Sequence, residues 1–592
     1  MTDIHETAER WAESVVAACR DLLRLVNRDR RSPAYGCFHP PFWLNKTSAH
    51  PNARCQEAAY AFALLYRNEY PGNSWRGAKE IGELARAGLL FWAARQHPDG
   101  SSDEWYRGEH GFAATAFTAY ALSRAYRLLE SEIEQRDRAA VLDAFRRASS
   151  WLARHRDVSK LNHEAVGAAA LFALAEATGE ESARAAAREK RDRVMAAQRE
   201  EGWFPELGGC DTGYSFITLE YLVRCYLAEP DEKLRRSLEN ALDFLRYFIH
   251  PDLGTGPEYN LCRNHYVSLL AAAAMGEFSP TARRLFREGV SGATALAQIT
   301  QDDLIRCFHL YTGLEAFAAF ALSRGRFTGD EPPLPFQGPS YRRYFPESRL
   351  VSVKTSTYFA VASGDCGGLI KFYALPREGS ALRSGRDQGV AVAAPAAGSQ
   401  NRPTGVADVP GGRCRPGLRP GAVGRSAAPV LYSSLYSTDN RVDHDGDGSL
   451  RVSAALKPGK YFFPGRMARL LLLLVSSLPA GYLLVKKGMD MVRSRKQATF
   501  QISAVSGEGT GWRLERAIAW REDRIVVEDA IRAPGGETAG EIAFAFDLMR
   551  EGLVSSRPFT GLGGDFSARL SSGKAVVTKE IVFKDGAITA TR

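Results

Sequence analysis

The sequence predicts an α+β chain of two domains, an N-terminal α/α toroid in the form of an incomplete barrel and then an antiparallel β-sandwich. Three observations predict it. Up to residue 331 apolar residues recur at helical spacing, with short Gly, Pro or Asp connections and no strand pattern between them. One unit, a Gly-containing turn followed by polar or aromatic residues and an apolar helical face, returns at intervals of roughly 50 residues, as helical hairpins packed side by side require. Past E-P-P-L-P-F at 331–336 the period changes from helical to alternating. The boundaries that follow are 1–331 for the toroid and 336–592 for the sandwich.

Residues 7–28 place Trp11, Val15, Val16, Cys19, Leu22, Leu23 and Leu25 at helical spacing between charges, which makes the first amphipathic helix. The stretch 32–47, S-P-A-Y-G-C-F-H-P-P-F-W-L-N-K-T, cannot continue a helix past Pro33 or Pro40. Its rings suit either stacking on the apolar face of a pyranose or plain loop packing. Helices are then predicted at 55–66, 78–94, 113–129, 139–153, 165–177, 182–200, 216–227, 233–249, 266–275, 280–297 and 305–323. The repeated unit is plainest at Q-H-P-D-G-S-S-D-E-W-Y-R-G from Gln96, L-N-H-E-A-V-G from Leu161, E-G-W-F-P-E-L-G-G-C-D-T-G-Y from Glu201 and H-P-D-L-G-T-G-P-E-Y-N-L-C-R-N-H-Y from His250. In each, polar residues stand just before an apolar helix, so a ring of hairpins would line a cleft with helix starts.

In the second domain R-L-V-S-V-K, G-G-L-I-K-F-Y-A-L, W-R-L-E-R-A-I-A-W and E-I-A-F-A-F-D-L read as strands. Two segments interrupt them. Residues 378–429 are dominated by Gly, Ala, Arg, Pro and Ser, and are expected to be irregular. Residues 466–496 hold an apolar run at 470–485, shorter than the roughly 20 residues of a spanning helix and broken by Pro479 and Gly481. A helical insertion on the sandwich is expected there. Because Arg466, Arg469, Lys486, Lys487, Arg493, Arg495 and Lys496 bracket the run, the alternative is peripheral contact with an anionic membrane.

Hydrophobic content of 45% and charge of 24% are those of a globular protein. The net charge of +9 favours an anionic partner if it favours any. The nine Cys include no C-x-x-C pair and total an odd number, so neither a disulfide framework nor a zinc site is expected. The opening M-T-D-I-H-E-T-A-E-R-W has no basic and apolar leader, which points to a cytoplasmic protein, or a periplasmic one if the true start lies elsewhere. In D-H-D-G-D-G-S, Asp443, Asp445, Asp447 and Gly448 sit at calcium-loop offsets, but Ala454 takes the place of the bidentate Glu, so a strand-connecting turn is expected.

N-H-E at 162–164 and D-T-G-Y at 211–214, on two successive repeats, resemble in order and spacing the motifs of polysaccharide lyases of the heparinase II/III and alginate-lyase type. The resemblance implies β-elimination at a uronate in an acidic polysaccharide, not action on nucleic acid, and needs no cofactor or metal. It assigns Asn162 and His163 to neutralising the substrate carboxylate, Tyr214 to proton transfer, and Arg263 to the positive charge that favours its phenolate. Glu104, Trp105, Tyr106, Glu164, Asp211, Glu258, Asn264 and His265 would line the substrate. One feature departs from the family, whose sandwich brings a second His to the cleft in an H-A-D-like turn. Here His444 is the only His beyond His309. Two other readings stay open: a toroid glycoside hydrolase using Glu104, Glu206 and Asp211, and a non-catalytic polysaccharide-binding or exopolysaccharide-assembly protein.

Overall fold

The computed structural model describes residues 4–256, 265–291, 303–323, 327, 329–375, 390–395, 406–408, 431–433, 440–445, 449–455, 457–458, 513–532, 541–550, 562–569, 574–584 and 587–591. They fall into two compact units, one on 4–246 and 265–334, the other on 247–256 and the described residues from 335 onward.

The first unit is helical: α1 (Ile4–Cys19), α2 (Pro40–Trp43), α3 (Ala58–Arg67), α4 (Lys79–Arg95), α5 (Phe112–Leu129), α6 (Gln135–Arg154), α7 (Leu161–Thr178), α8 (Glu181–Ala196), α9 (Thr212–Ala228), α10 (Glu232–Leu245), α11 (Leu269–Met275), α12 (Pro280–Ser291) and α13 (Asp303–Leu322). Local chemistry sets several ends. Asp211, Asp231 and Ser268 cap α9, α10 and α11 by accepting the backbone N–H three residues on, and α12 opens on Pro280. At the far end of α7, Gly179 takes φ +75°, and its N–H closes on the Ala175 carbonyl.

Residue choice also sorts the helices into layers. α7 is buried without a break from Glu164 to Ala175, as a helix wrapped on all sides must be. α10 buries Leu234, Leu238, Ala241, Leu242 and Leu245 on one face, and turns Arg235, Arg236 and Glu239 outward. In the inner layer α3 packs on α5, α5 on α7, α7 on α9, α9 on α11, α11 on α13 and α13 on α3. Polar groups cross this layer. Glu315 of α13 accepts Tyr60 and Tyr120 at 2.8 Å each and Arg224 at 2.7 Å. Arg224 also pairs with Glu220, which accepts Ser268 at 2.5 Å and the Tyr266 hydroxyl.

A two-stranded hairpin of β1 (Pro205–Glu206) and β2 (Gly209–Cys210) precedes α9. The second unit consists of antiparallel sheets. One is six-stranded, in the order β10 (Arg441–His444), β11 (Leu450–Ala455), β13 (Arg513–Trp520), β14 (Arg524–Arg532), β17 (Lys574–Lys584) and β18 (Ala587–Thr591). The other is ten-stranded, in the order β12 (Lys457–Pro458), β9 (Leu431–Ser433), β8 (Val406–Asp408), β15 (Glu541–Arg550), β7 (Val390–Pro395), β6 (Leu369–Ala374), β5 (Tyr358–Ser363), β4 (Leu350–Lys354) and β3 (Tyr341–Phe345), with β16 (Leu562–Arg569) also on β15. Alternation along β13 buries Leu514, Arg516, Ile518 and Trp520. Val353, Tyr358, Ile370 and Phe372 of one sheet share a core with Val452, Ile518, Val527 and Phe583 of the other.

Two expectations change. Residues 247–256, placed with the helices by sequence, belong to the sheet unit: Ser352 donates to the Tyr247 carbonyl at 2.7 Å, and Arg343 lies 4.5 Å over the Tyr247 ring. Within 378–429, expected to be irregular, β7 and β8 pair with β6 and β15, because ladder pairing needs only backbone and no apolar alternation. The D-H-D-G-D-G-S run does join two strands, β10 and β11, and His444 stacks on Tyr344. Residues 466–496 lie outside the described residues, among which no helix is long and apolar enough to cross a membrane.

Candidate functional site at the inner-helix starts

Each inner helix from α5 onward is reached through an outer one, so the inner helices run the same way and their N-termini gather at one end. Most of the described candidate residues lie there. His163, in the first turn of α7, hydrogen-bonds through Nδ1 to Asp157 Oδ2 at 2.8 Å. Burial lowers the His163 pKa, so the ring is neutral. Burial alone would raise Asp157, but the His163 hydrogen bond, the charge His163 carries once protonated in acid, and Ser159 bring it to about 2. An ionised Asp157 therefore accepts a hydrogen bond from Nδ1–H, and the Nε2 lone pair of His163 is left as an acceptor.

Around this pair the floor is aromatic and charged. Phe117 of α5 meets His163 edge-on at 6.2 Å, Tyr221 at 5.4 Å and Phe308 at 6.0 Å. Arg54 lies 3.8 Å over the other face of this cluster, on the Phe117 ring. It bonds Glu57 at 2.8 Å and stands 3.9 Å from Glu104. Burial works against its charge, but these two carboxylates hold it firmly protonated. Burial also raises Glu104 to about 7. Beyond Phe308, His309 stacks on Tyr266 at 5.0 Å.

Beside the start of α7 sits Glu206 of β1, 2% exposed, which accepts the Asn162 N–H at 3.3 Å. Burial raises its pKa to about 8. Asn162 is 1% exposed, with its amide beside the Glu206 carboxyl. Asp211 is fully buried and caps α9 through the Tyr214 N–H at 2.9 Å, which fixes the helix start that carries Tyr214.

The remaining candidates divide. The Trp105 ring is 75% exposed, on a loop pinned by Glu109, which accepts the N–H groups of Glu104 and Trp105 at 2.7 and 2.8 Å. Tyr106 and His265 are partly exposed. Glu164 faces away from solvent, held by Lys190 at 3.1 Å and by the Asp157 N–H at 2.7 Å, so its carboxylate builds the loop that carries Asp157. Glu258, Arg263 and Asn264 lie outside the described residues. Sequence reading missed Asp157, Arg54, Tyr266 and His309. Among the described residues no cluster of His, Cys, Asp and Glu is arranged to hold a metal ion.

No family model and no curated protein matches the chain by sequence. Solved structures do match. The chondroitin AC lyase of Streptomyces coelicolor A3, in complex with chondroitin sulphate, aligns over 99% of this chain and 76% of its own, at 12% identity and a TM-score of 0.53. Paenibacillus xanthan lyase aligns over 99% of this chain and 58% of its own, at 9% identity and a TM-score of 0.52. This chain thus spans little more than half of the xanthan lyase. The likeness establishes a polysaccharide-lyase-like fold.

Proposed function

We propose that the chain is a polysaccharide lyase of the heparinase II/III-like kind, a toroid followed by a β-sandwich, which cleaves a uronate-containing acidic polysaccharide by β-elimination. The inner-helix order supports a toroid of hairpins. The observation that carries the function is the Asp157–His163 pair at the start of α7.

In this reaction a base removes the proton beside the uronate carboxylate, the C–O bond to the neighbouring sugar breaks, a C=C bond forms, and the departing oxygen takes a proton. A neutral His163 with Nδ1–H on Asp157 has a bare Nε2 suited to accepting that proton. It is poorly suited to the neutralising role expected from the sequence, since a neutraliser must donate. Neutralisation falls instead to the Asn162 amide, and Arg263 keeps the role of positive charge that the resemblance gives it. Tyr214 protonates the leaving oxygen. Trp105, Tyr106, Glu258, Asn264 and His265 line the polymer, while Asp211 and Glu164 position their helix start and loop.

The test is absorbance near the ~230 nm unsaturated-uronate band with heparan, chondroitin, alginate and bacterial acidic exopolysaccharides. A rise with the wild type that His163→Ala and Tyr214→Phe abolish is the expected result. No rise on any polymer overturns the proposal. One observation favours a second reading: Glu104 at about 7 and Glu206 at about 8 can hold a proton at neutral pH, as the acid of a glycoside hydrolase must. New reducing ends without the absorbance would select it.

A further inference from the structure

Beside the cleft floor the helical unit has a second concavity, of about 280 Å³, between the 42–56 loop, the end of α4 and the 97–107 loop. Pockets for drug-sized ligands run from roughly 300 to 1,000 Å³, so this one holds a single sugar ring rather than a length of chain. Phe42, Phe91 and Trp92 give it an apolar wall. Behind them Gln56 is fully committed, accepting the Phe38 N–H at 2.7 Å and donating to the carbonyls of Gly36 and Gly88 at 3.0 Å each. The wall is therefore rigid before any ligand arrives.

The charged residues lining this cavity are Arg95, Arg107 and one carboxylate, Asp103. Arg95 lies 5.5 Å over Phe42 and 5.2 Å over Phe91, and the ring faces hold its guanidinium at the rim. Arg107 stands on the opposite loop. Neither pairs with a carboxylate among the described residues. His97 also lines the cavity, and its Nε2 bonds Asp103 Oδ1 at 2.8 Å. That carboxylate is spent within the loop, because it also accepts the N–H groups of Gly108 at 2.7 Å and His110 at 3.1 Å. His97 stacks on His110 at 4.1 Å, which fixes its ring. An apolar wall facing two uncommitted guanidiniums fits a ring with one apolar face and one anionic substituent.

We propose that this cavity is a binding site for a single anionic sugar, a uronate at a branch or chain end of the polymer, with the Phe42 and Phe91 wall against the ring and Arg95 and Arg107 on the carboxylate. The ligand class rests on the reading of the chain as acting on a uronate polymer, but the site makes its own prediction.

Saturation-transfer NMR of the full chain at low ionic strength, with sodium glucuronate and separately with glucose, tests it. Glucuronate should give a signal at least fivefold stronger than glucose, and Arg95→Ala with Arg107→Ala should reduce it to the glucose level. Both arginines are exposed, so the double variant should fold, and Arg95→Lys with Arg107→Lys should restore part of the signal. Equal signals from both sugars, or a glucuronate signal that survives the double alanine variant, overturn the proposal. A signal lost in His163→Ala but kept in the arginine variant would place the sugar in the cleft and overturn it as well. Glucuronate binding that depends on Arg95 and Arg107, with no absorbance rise on any polymer, would keep this site and remove the lyase reading.

Discussion

The two units bury charge in opposite ways. In the sheet unit Arg516 and Asp529, both fully buried, form a closed pair: two parallel hydrogen bonds at 2.6 and 2.7 Å, with the spare N–H on the Gly368 carbonyl at 3.1 Å. The pair satisfies itself and fixes the β13–β14 register within an apolar core. In the helical unit the charge runs on. Glu220, Arg224 and Glu315 lead through Tyr221, whose hydroxyl meets that of Tyr311 at 3.0 Å, towards Glu57, Arg54 and Glu104 at the helix starts. Near the helix starts stand two carboxyls that burial raises, Glu104 and Glu206. A closed pair is architecture, whereas carboxyls held at raised pKa values near helix starts are the kind of group that functional sites gather.

The largest effects should come from breaking the two networks. Arg516→Ala strands a buried Asp529 and should cost about 3–5 kcal/mol, while replacing both partners with Met and Leu should recover most of that loss. Arg224→Met should cost a similar about 3–5 kcal/mol, but removing Glu315 as well should not rescue it, since Glu220 is still stranded. Urea midpoints of the four variants check this, and equal rescue in both units would erase the contrast.

Titration sharpens it next. Glu206 has a folded pKa near 8, above that of a free carboxyl, so the unfolded chain loses its proton first. Stability should fall as pH rises from about 4.5 to about 8, and Glu206→Gln should stabilise the chain at pH 8 with little effect at pH 4. Asp157 works the other way. Its depressed pKa contributes about 2 kcal/mol above pH ~4, lost as pH falls towards its folded value of about 2. Asp157→Asn should flatten that acid limb, as urea midpoints at successive pH values would show. The smallest effect is at the surface: Arg127→Ala, which breaks exposed bonds to Glu130 and Glu176, should move the midpoint by under about 1 kcal/mol.

The helical hairpins were legible because a 3.6-residue period, Asp and Ser caps and Pro280 leave marks that neighbours do not override. The strands showed for the same reason, in the alternation of β13. Asn162, His163, Asp211 and Tyr214 were visible as polar residues placed before apolar helices. Asp157 was not, since R-D-V-S-K is an ordinary loop until it folds back over the start of α7. Arg54 was hidden among the many arginines of the chain, and only its place over Phe117 distinguishes it. Without Asp157, the tautomer of His163 could not be read, and so neither could its fitness as a base. The 247–256 segment misled because its repeat grammar is helical while its packing partners are strands.

Whether the helix-start residues serve reaction rather than folding is tested most directly by His163→Ala. Its urea midpoint and its rate of unsaturated-uronate formation should be measured beside the wild type on whichever acidic polysaccharide the wild type cleaves. A midpoint lowered by no more than about 2 kcal/mol, the share that the Asp157 pairing supplies, with formation of the unsaturated product abolished, is the predicted result. Retained turnover, or a collapse in stability comparable to that of Arg516→Ala, would contradict it.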